Sequence, residues 1–343
     1  MTTSTFTRRR LLQTSGGLLL AAGLLGPSAV RAQGGLIALV HTQAAGDAGP
    51  VDSMIGKLNQ FAAETGMRAR AIYAQDPATY ETSFTTLGEA GASIVVSTFN
   101  EVAEPIREVA PNFPDTKFIQ LFADPFEPAI PNVTTVSYDY YLGCYLAGIF
   151  AARMSRSGKL GFIGGISIPP INADFNAFKA GAQSVNPDIT ATVAFAGSFQ
   201  DPAKGQEIAT QMYSDGIDFI QTDAAATDFG IIAAAQEREG RLVSCLDPAQ
   251  FTLAPKSLIS IVGLDFGASL YNEAQRALTP DWQAGHVPTG LGTGVIDFIR
   301  NPEFIAQGPA ELNAMAEAAM PEVDQARTAI LDGSLVVEFN TNL

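Results

Sequence analysis

Carboxylates and aromatic rings recur in this chain directly after short apolar runs: Asp47, Phe99 with Asn100, Asp124, Asp174 with Asn176, Phe199, Asp223 and Asp247. An ionised Asp accepts hydrogen bonds from hydroxyl or amine donors, and a Phe face stacks on a planar ring. Such a set suits a small, largely uncharged, hydroxylated and aromatic ligand better than an anion. Taken singly, each Asp also reads as a helix N-cap or turn residue. Only their common position is informative, because open parallel sheets bind ligands just outside the carboxyl ends of their strands.

Catalytic patterns are missing. The chain has two histidines, His41 and His286, and two cysteines, Cys144 and Cys245. No H-E-x-x-H, C-x-x-C, G-x-x-x-x-G-K-[ST] or G-x-S-x-G spacing occurs. No cofactor, metal ligand set or enzyme activity is therefore expected. The glycines between Gly161 and Gly165 could cradle a phosphate, but they do not follow G-x-G-x-x-G, and a tight turn beside a cleft explains them equally well. The cysteines sit in apolar surroundings and read as buried free thiols, although an oxidising compartment would permit a bond between them.

The elements that position these residues are a repeated strand–helix alternation. Continuous apolar runs lie at 36–41, 70–73, 93–97, 117–122, 133–138, 160–163, 191–195, 219–222, 242–246 and 258–262, as parallel strands covered on both faces require. Amphipathic stretches of helical length separate them, so the class is α/β with parallel sheets. Ten strands over 343 residues divide more naturally into two doubly wound lobes than into one sheet. The expected partition is 33–138 plus about 248–285 for lobe 1, and 139–247 plus about 286–343 for lobe 2. Two further short runs, 295–299 and 335–339, flank a helix near 312–331.

Charge adds an exclusion. The formal net charge is −15, and residues 1–32 carry four arginines and no acid, leaving 16 bases against 35 acids in the remainder. Such a body repels nucleic acid and anionic lipid surfaces. Residues 1–32 read as an export signal, with Arg8-Arg9-Arg10, an apolar run from Gly16 to Gly26 that is too short to span a bilayer, and cleavage expected near Ala32. The segment from Thr7 to Gln13 resembles the twin-arginine consensus. No Cys follows the run to take a lipid, so a periplasmic, unanchored mature chain is expected.

Several phrases in order, Ala110 to Phe118, Tyr145 to Ser155, Gly158 to Gly165, Asn176 to Ala182 and Gly197 to Gly205, together resemble the basic membrane protein (Bmp) family of periplasmic binding proteins, typified by purine-nucleoside receptors of ABC transporters. The resemblance implies the type I periplasmic binding protein fold, two α/β lobes joined by a hinge, and capture of a nucleoside by closure without catalysis. It also implies delivery of that ligand to an ABC permease by a monomeric chain. The family's first loop, D-x-S-F-N, aligns its Asp with Asp47 but places Gly49-Pro50-Val51 where the stacking Phe and the Asn would be. Phe199 matches the second stacking aromatic and Asp247 the acid before the second crossing. The family's Lys falls near Gly263, and its acid after the fourth strand aligns with Phe122, two residues before Asp124. The partner wall to Phe199 would then come from Phe99, Phe122 or Phe175. A nucleoside or related heterocycle is the expected ligand, with a flavin, sugar or base as alternatives. A sensory module with the same fold is the rival function, and an exported hydrolase is disfavoured because the aspartates are spread over many loops.

Overall fold

The computed structural model describes residues 34–46 and 49–343; Asp47 and the export segment lie outside the described residues. Two six-stranded sheets organise the described chain. The first contains β1 (Leu36–His41), β2 (Arg68–Tyr73), β3 (Ile94–Thr98), β4 (Lys117–Leu121), β5 (Val133–Tyr138) and β11 (Gly285–Thr289), in the order β11-β5-β4-β3-β1-β2, all parallel. The second contains β6 (Lys159–Gly164), β7 (Thr190–Phe195), β8 (Phe219–Asp223), β9 (Leu242–Cys245), β10 (Leu258–Leu264) and β12 (Ile296–Arg300), in the order β12-β10-β9-β8-β6-β7. Its strands are parallel except for β12, which pairs antiparallel to β10. Both sheets thus wind in the doubly wound manner, with the switch point between β1 and β3 in one and between β6 and β8 in the other. Such a point opens a crevice at the carboxyl ends.

Alternation of side chains explains the layers. Ile37 and Leu39 of β1 pack with α1 (Pro50–Thr65), while Ala38 and Val40 join the opposite cluster with Phe84 of α2 (Tyr80–Glu89) and Ile106 of α3 (Ala103–Val109). In the second lobe α5 (Pro169–Val185) and α6 (Pro202–Ser214) both start with Pro in the first turn, where no backbone donor is lost. Asp201 caps α6 by accepting from the Lys204 N–H at 3.0 Å, as its Asp-Pro sequence predicts. Then follow α7 (Asp228–Gln236), α8 (Phe266–Ala277), which packs on α1, the short α9 (Pro302–Gln307) and α10 (Ala310–Leu331).

The helix α4 (Tyr140–Met154) is buried nearly all round and lies against α5, α10, β10 and β12. Its approach to α5 is set by two glycines. A Cβ on Gly148 would lie 2.0 Å from the Phe178 carbonyl oxygen, and one on Gly181 would lie 2.0 Å from that of Tyr145. The helices therefore meet backbone to backbone.

Three sequence expectations change. The return to lobe 1 does not begin near residue 248: β10 adds to the second sheet beside β9, and the chain crosses only at Asp265, after which α8 and β11 join the first sheet. The apolar run 335–339 forms no strand. The residues just after it are instead held from the side, with Asn176 Nδ2 donating to the carbonyls of Asn340 and Asn342, each at 2.7 Å, and Asn172 Nδ2 donating to that of Thr341 at 3.2 Å. The strand β11 was not anticipated, because its sequence GHVPT is half-exposed and contains a proline, a composition that an edge strand tolerates. Cys144 and Cys245 are buried, free and in different core clusters.

The glycine geometry gives a paired prediction. Gly181→Ala should destabilise by about 1–3 kcal/mol or more through overpacking. Gly56→Ala, in the exposed middle of α1 with nothing within 4 Å of its Cβ, should instead stabilise by about 0.5–1 kcal/mol. Denaturant midpoints of the two variants should move in opposite directions.

Candidate functional site

The carboxyl ends of both sheets border one cavity of about 340 Å³. Lobe 1 contributes Gln43 after β1, Pro50 at the start of α1, Phe99, Asn100 and Glu101 after β3, and Phe122 after β4. Lobe 2 contributes Ile166, Ile168, Ile171 and Asp174 after β6, Phe199 after β7, Asp223 and Ala225 from β8 onward, and Leu246 after β9. Tyr140, Leu264 and Phe266 enter from the segments that cross between lobes.

Aromatic rings form the lobe 1 wall. Phe99 and Phe122 meet at 6.0 Å between centroids, both pack on Phe266, at 5.9 and 6.3 Å, and Tyr138 closes the group 5.3 Å from Phe266. Two of these rings are aimed by unusual backbone: φ is +72° at Phe99 and +56° at Phe122. The third non-glycine residue with positive φ among the described residues is Ala225, at +51°, which also lines the cavity. Left-handed backbone costs an L-residue of order 1–3 kcal/mol and persists where surrounding bonds hold it. At Phe99 they do: its N–H donates to the Leu121 carbonyl at 3.0 Å, and its own carbonyl accepts from Gln120 Nε2 at 3.0 Å.

On the lobe 2 side Phe199 lies over Gly165, where an added Cβ would come within 2.2 Å of the ring. Gly164 is similarly crowded by Ile171 and Phe195. The glycine-rich end of β6 therefore makes room for side chains bordering the cavity. This is the turn beside a cleft, and the phosphate reading is not needed to explain it.

Charge in the cavity wall is one-sided. Among the described residues, Glu101, Asp174 and Asp223 are its ionisable acids, and no Lys, Arg or His lines it. Asp174 and Asp223 are only 3% and 8% exposed. Burial, then the neighbouring Asp223 charge, pushes the Asp174 carboxyl well above the usual range, and the two side chains are hydrogen-bonded to each other. Burial pushes Asp223 up to about 6, opposed by that same hydrogen bond. Behind them Asp228, at the start of α7, is fully buried and also pushed well up by burial. The Tyr140 hydroxyl is occupied, donating to the Val262 carbonyl at 2.8 Å.

Of the residues expected at a site, Phe99, Asn100, Asp174, Phe199 and Asp223 come together here. Others do not. Asp124 is exposed beyond β4 and lies outside the lining, because the chain turns at Phe122 and directs that ring inward instead. Asn176 is occupied with the C-terminal segment. Asp247 lies outside the lining and accepts from the Ala249 N–H at 2.7 Å, capping the turn that follows β9. Phe175 is core, 5.8 Å from Phe162. Sequence reasoning missed Phe266, Tyr140 and the isoleucines after β6; a ring next to each crossing point was the available signal. His41 and His286 take structural partners: His41 Nδ1 lies 2.8 Å from the Gln43 carbonyl, and His286 sits between the hydroxyls of Thr135 and Ser137. Among the described residues no cluster of three or more His, Cys, Asp or Glu could hold a metal ion.

Two parallel-sheet lobes around a shared cavity define a periplasmic-binding-protein fold, and solved structures agree. A solute-binding protein of an ABC transporter system from Aeropyrum pernix K1 superposes with a TM-score of 0.76 at 19% identity, covering 89% of this chain and 94% of that one. The chain belongs to the Bmp family, whose model, described as ABC transporter substrate-binding protein PnrA-like, matches residues 37–336. Among curated relatives, basic membrane protein A2 of Borrelia garinii is 31% identical over 260 residues, 74% of each chain. A purine-binding protein of Brucella abortus is 29% identical over 218 residues, 63% of this chain and 60% of that one. Among the described residues no helix is long and apolar enough to cross a membrane.

Ala225 offers a direct check on the strained backbone. Ala225→Gly should leave stability within about 0.5 kcal/mol of the parent or raise it, whereas Ala→Gly in an ordinary helix costs about 1 kcal/mol. Ala225→Val should cost more than about 1 kcal/mol, since a β-branched residue resists the left-handed region. Urea unfolding of both variants reads the difference.

Proposed function

We propose that the chain is the exported, monomeric solute receptor of an ABC importer, and that it captures a purine-type base or nucleoside between its lobes for delivery to the permease. The observation that carries this reading is that rings from both lobes line one cavity, Phe99 and Phe122 from one and Phe199 from the other. A planar heterocycle between them would gain stacking of ~0.5–1.5 kcal/mol per ring beyond its burial. Lobe 1 thereby supplies, from β3 and β4, the wall that the family's first loop supplies elsewhere. A volume of about 340 Å³ lies at the small end of the ~300–1,000 Å³ usual for ligand sites, which suits a base or nucleoside better than a flavin. The purine-binding relative supports the same class. The acids in the wall, with no basic residue beside them, disfavour phosphorylated forms.

Ligand that bridges both lobes favours the closed arrangement in proportion to its differential affinity for it. The protein performs no chemistry on its ligand in this reading. Incubation with nucleosides should return them intact; release of free base would overturn that part.

A thermal-shift panel of purine bases, ribonucleosides, nucleotides, sugars and flavins tests the assignment. A true ligand at 100 times its dissociation constant stabilises by ~2.7 kcal/mol, a shift of several degrees. Bases or nucleosides should give it and nucleotides should not. Phe199→Ala should weaken the best ligand about tenfold or more. A shift by sugars or flavins alone, or full affinity in Phe199→Ala, would overturn the purine assignment.

A further inference from the structure

The least expected feature of the cavity is two buried carboxyls in one wall with no cation beside them among the described residues. Asp174 comes from the first half of α5 and Asp223 is the last residue of β8, so separate elements bring them together. Both line the cavity and both are more than nine-tenths buried. The titratable groups packed around them are Tyr140 and Cys144 from α4 and Asp228 from α7, with Glu101 in the lobe 1 wall; none of these is a cation. The hydroxyl of Tyr140, which also lines the cavity, is committed to the Val262 carbonyl.

We propose that Asp174 and Asp223 form the specificity-determining edge of the cavity: one proton bridges the two carboxyls, and their remaining oxygens receive two adjacent hydrogen-bond donors from the ligand. The inference rests on the reading of this cavity as a purine-type ligand site. A hydrogen bond between two carboxyls needs a proton on one of them, and burial of both, together with their proximity, favours the pair holding it. Once the bridge is made, the other oxygens can only accept. A ligand facing them must therefore offer donors, either the two hydroxyls of a vicinal diol or the two hydrogens of an exocyclic amino group. An anionic group there would meet repulsion with nothing to offset it.

The pair also links binding to pH. Asp223 is pushed up to about 6 by burial, above the ~3.9 of an unfolded Asp, so the folded protein binds protons more tightly than the unfolded chain. The pair's contribution to stability is greatest in acid and is lost as pH rises through about 6. Donor binding runs the other way: below about pH 6 a second proton makes Asp223 a donor and removes an acceptor. Acid should thus firm the unliganded protein while weakening its grip on ligand.

The experiment compares the full chain with Asp223→Asn and Asp174→Asn, first unliganded and then by calorimetry with adenosine, 2′,3′-dideoxyadenosine and adenine between pH 5 and 8. Unliganded Asp223→Asn should melt higher than the parent at pH 7.5, by a margin that narrows at pH 5 and closes near pH 4. Adenosine affinity in the parent should fall toward tenfold per unit below about pH 6, and Asp223→Asn should lose that dependence and bind at least tenfold more weakly at pH 7.5. A comparable loss for dideoxyadenosine on the parent assigns the donors to the sugar diol; equal binding of all three assigns them to the base edge. Unchanged melting profiles in both variants, or undiminished and still pH-dependent binding by them, would overturn the pair. Failure of every purine probe on the parent, with the altered profile of Asp223→Asn intact, would overturn the purine assignment while supporting the shared proton.

Discussion

Everything at the cavity depends on the chain crossing between lobes three times at one place, with the crossings bonded to one another. The Asp139 N–H donates to the Thr289 carbonyl at 2.8 Å, and the Asp265 N–H donates to the Val295 carbonyl at 2.9 Å. A short bridge between Leu291 and Ile296 adds to them. These bonds satisfy backbone groups that would otherwise be buried without partners. They also fix the two sheets so that both sets of carboxyl ends border the same space. Tyr140, Leu264 and Phe266 each sit one residue from a crossing, so the wall is partly made of the connection itself. A rotation about these segments would move the Phe99–Phe122 wall relative to Phe199 without breaking either sheet, which is the geometry that hinge closure requires.

Local strain and buried charge concentrate around this space. All three non-glycine residues with positive φ among the described residues line the cavity, and so do two buried aspartates. Elsewhere the molecule follows ordinary rules: parallel strands buried on both faces, prolines in first turns, an Asp cap on α6. Departures confined to one region mark where packing has been set aside for recognition. The rest of the fold supplies the rigidity that holds them, most visibly the backbone contact of α4 with α5, which anchors the helix carrying Asp174.

The central strands and the two-lobe class were readable because a strand buried on both faces is a continuous apolar run, whereas the edge strands β2 and β7 are largely exposed or half-buried and follow from the strand–helix alternation. The crossing at Asp265 was not, because β10 is as apolar as a strand of either lobe and the crossing leaves only an N-cap Asp before α8. Asp247 and Asp223 illustrate the limit at the site. Each ends an apolar run, yet Asp247 turns back to cap its own loop and Asp223 points into the cavity. Which way a carboxylate turns depends on the φ/ψ of the next residues, and no residue type encodes that. Phe122 was one of three candidate walls and could not be singled out for the same reason: its backbone has a φ of +56°, and Asp124, two residues on, was the site residue expected after that strand.

The composition of the wall also decides what closure can be driven by. A cavity of aromatic and aliphatic side chains gains by expelling water, but the buried carboxyls of Asp174 and Asp223 oppose that gain, since an ionised carboxylate shut away from water without donors carries a large desolvation penalty. An empty closed state is therefore disfavoured by the same groups that would recognise a ligand. A ring with two donors removes both objections at once, filling the space between Phe99 and Phe199 and satisfying the carboxyl oxygens. An apolar ring without donors would stack but leave the acids unpaired, and a sugar without a flat face would satisfy the acids but not the rings. Closure then reports the coincidence of the two features, which is how a receptor with few polar contacts can discriminate among small solutes.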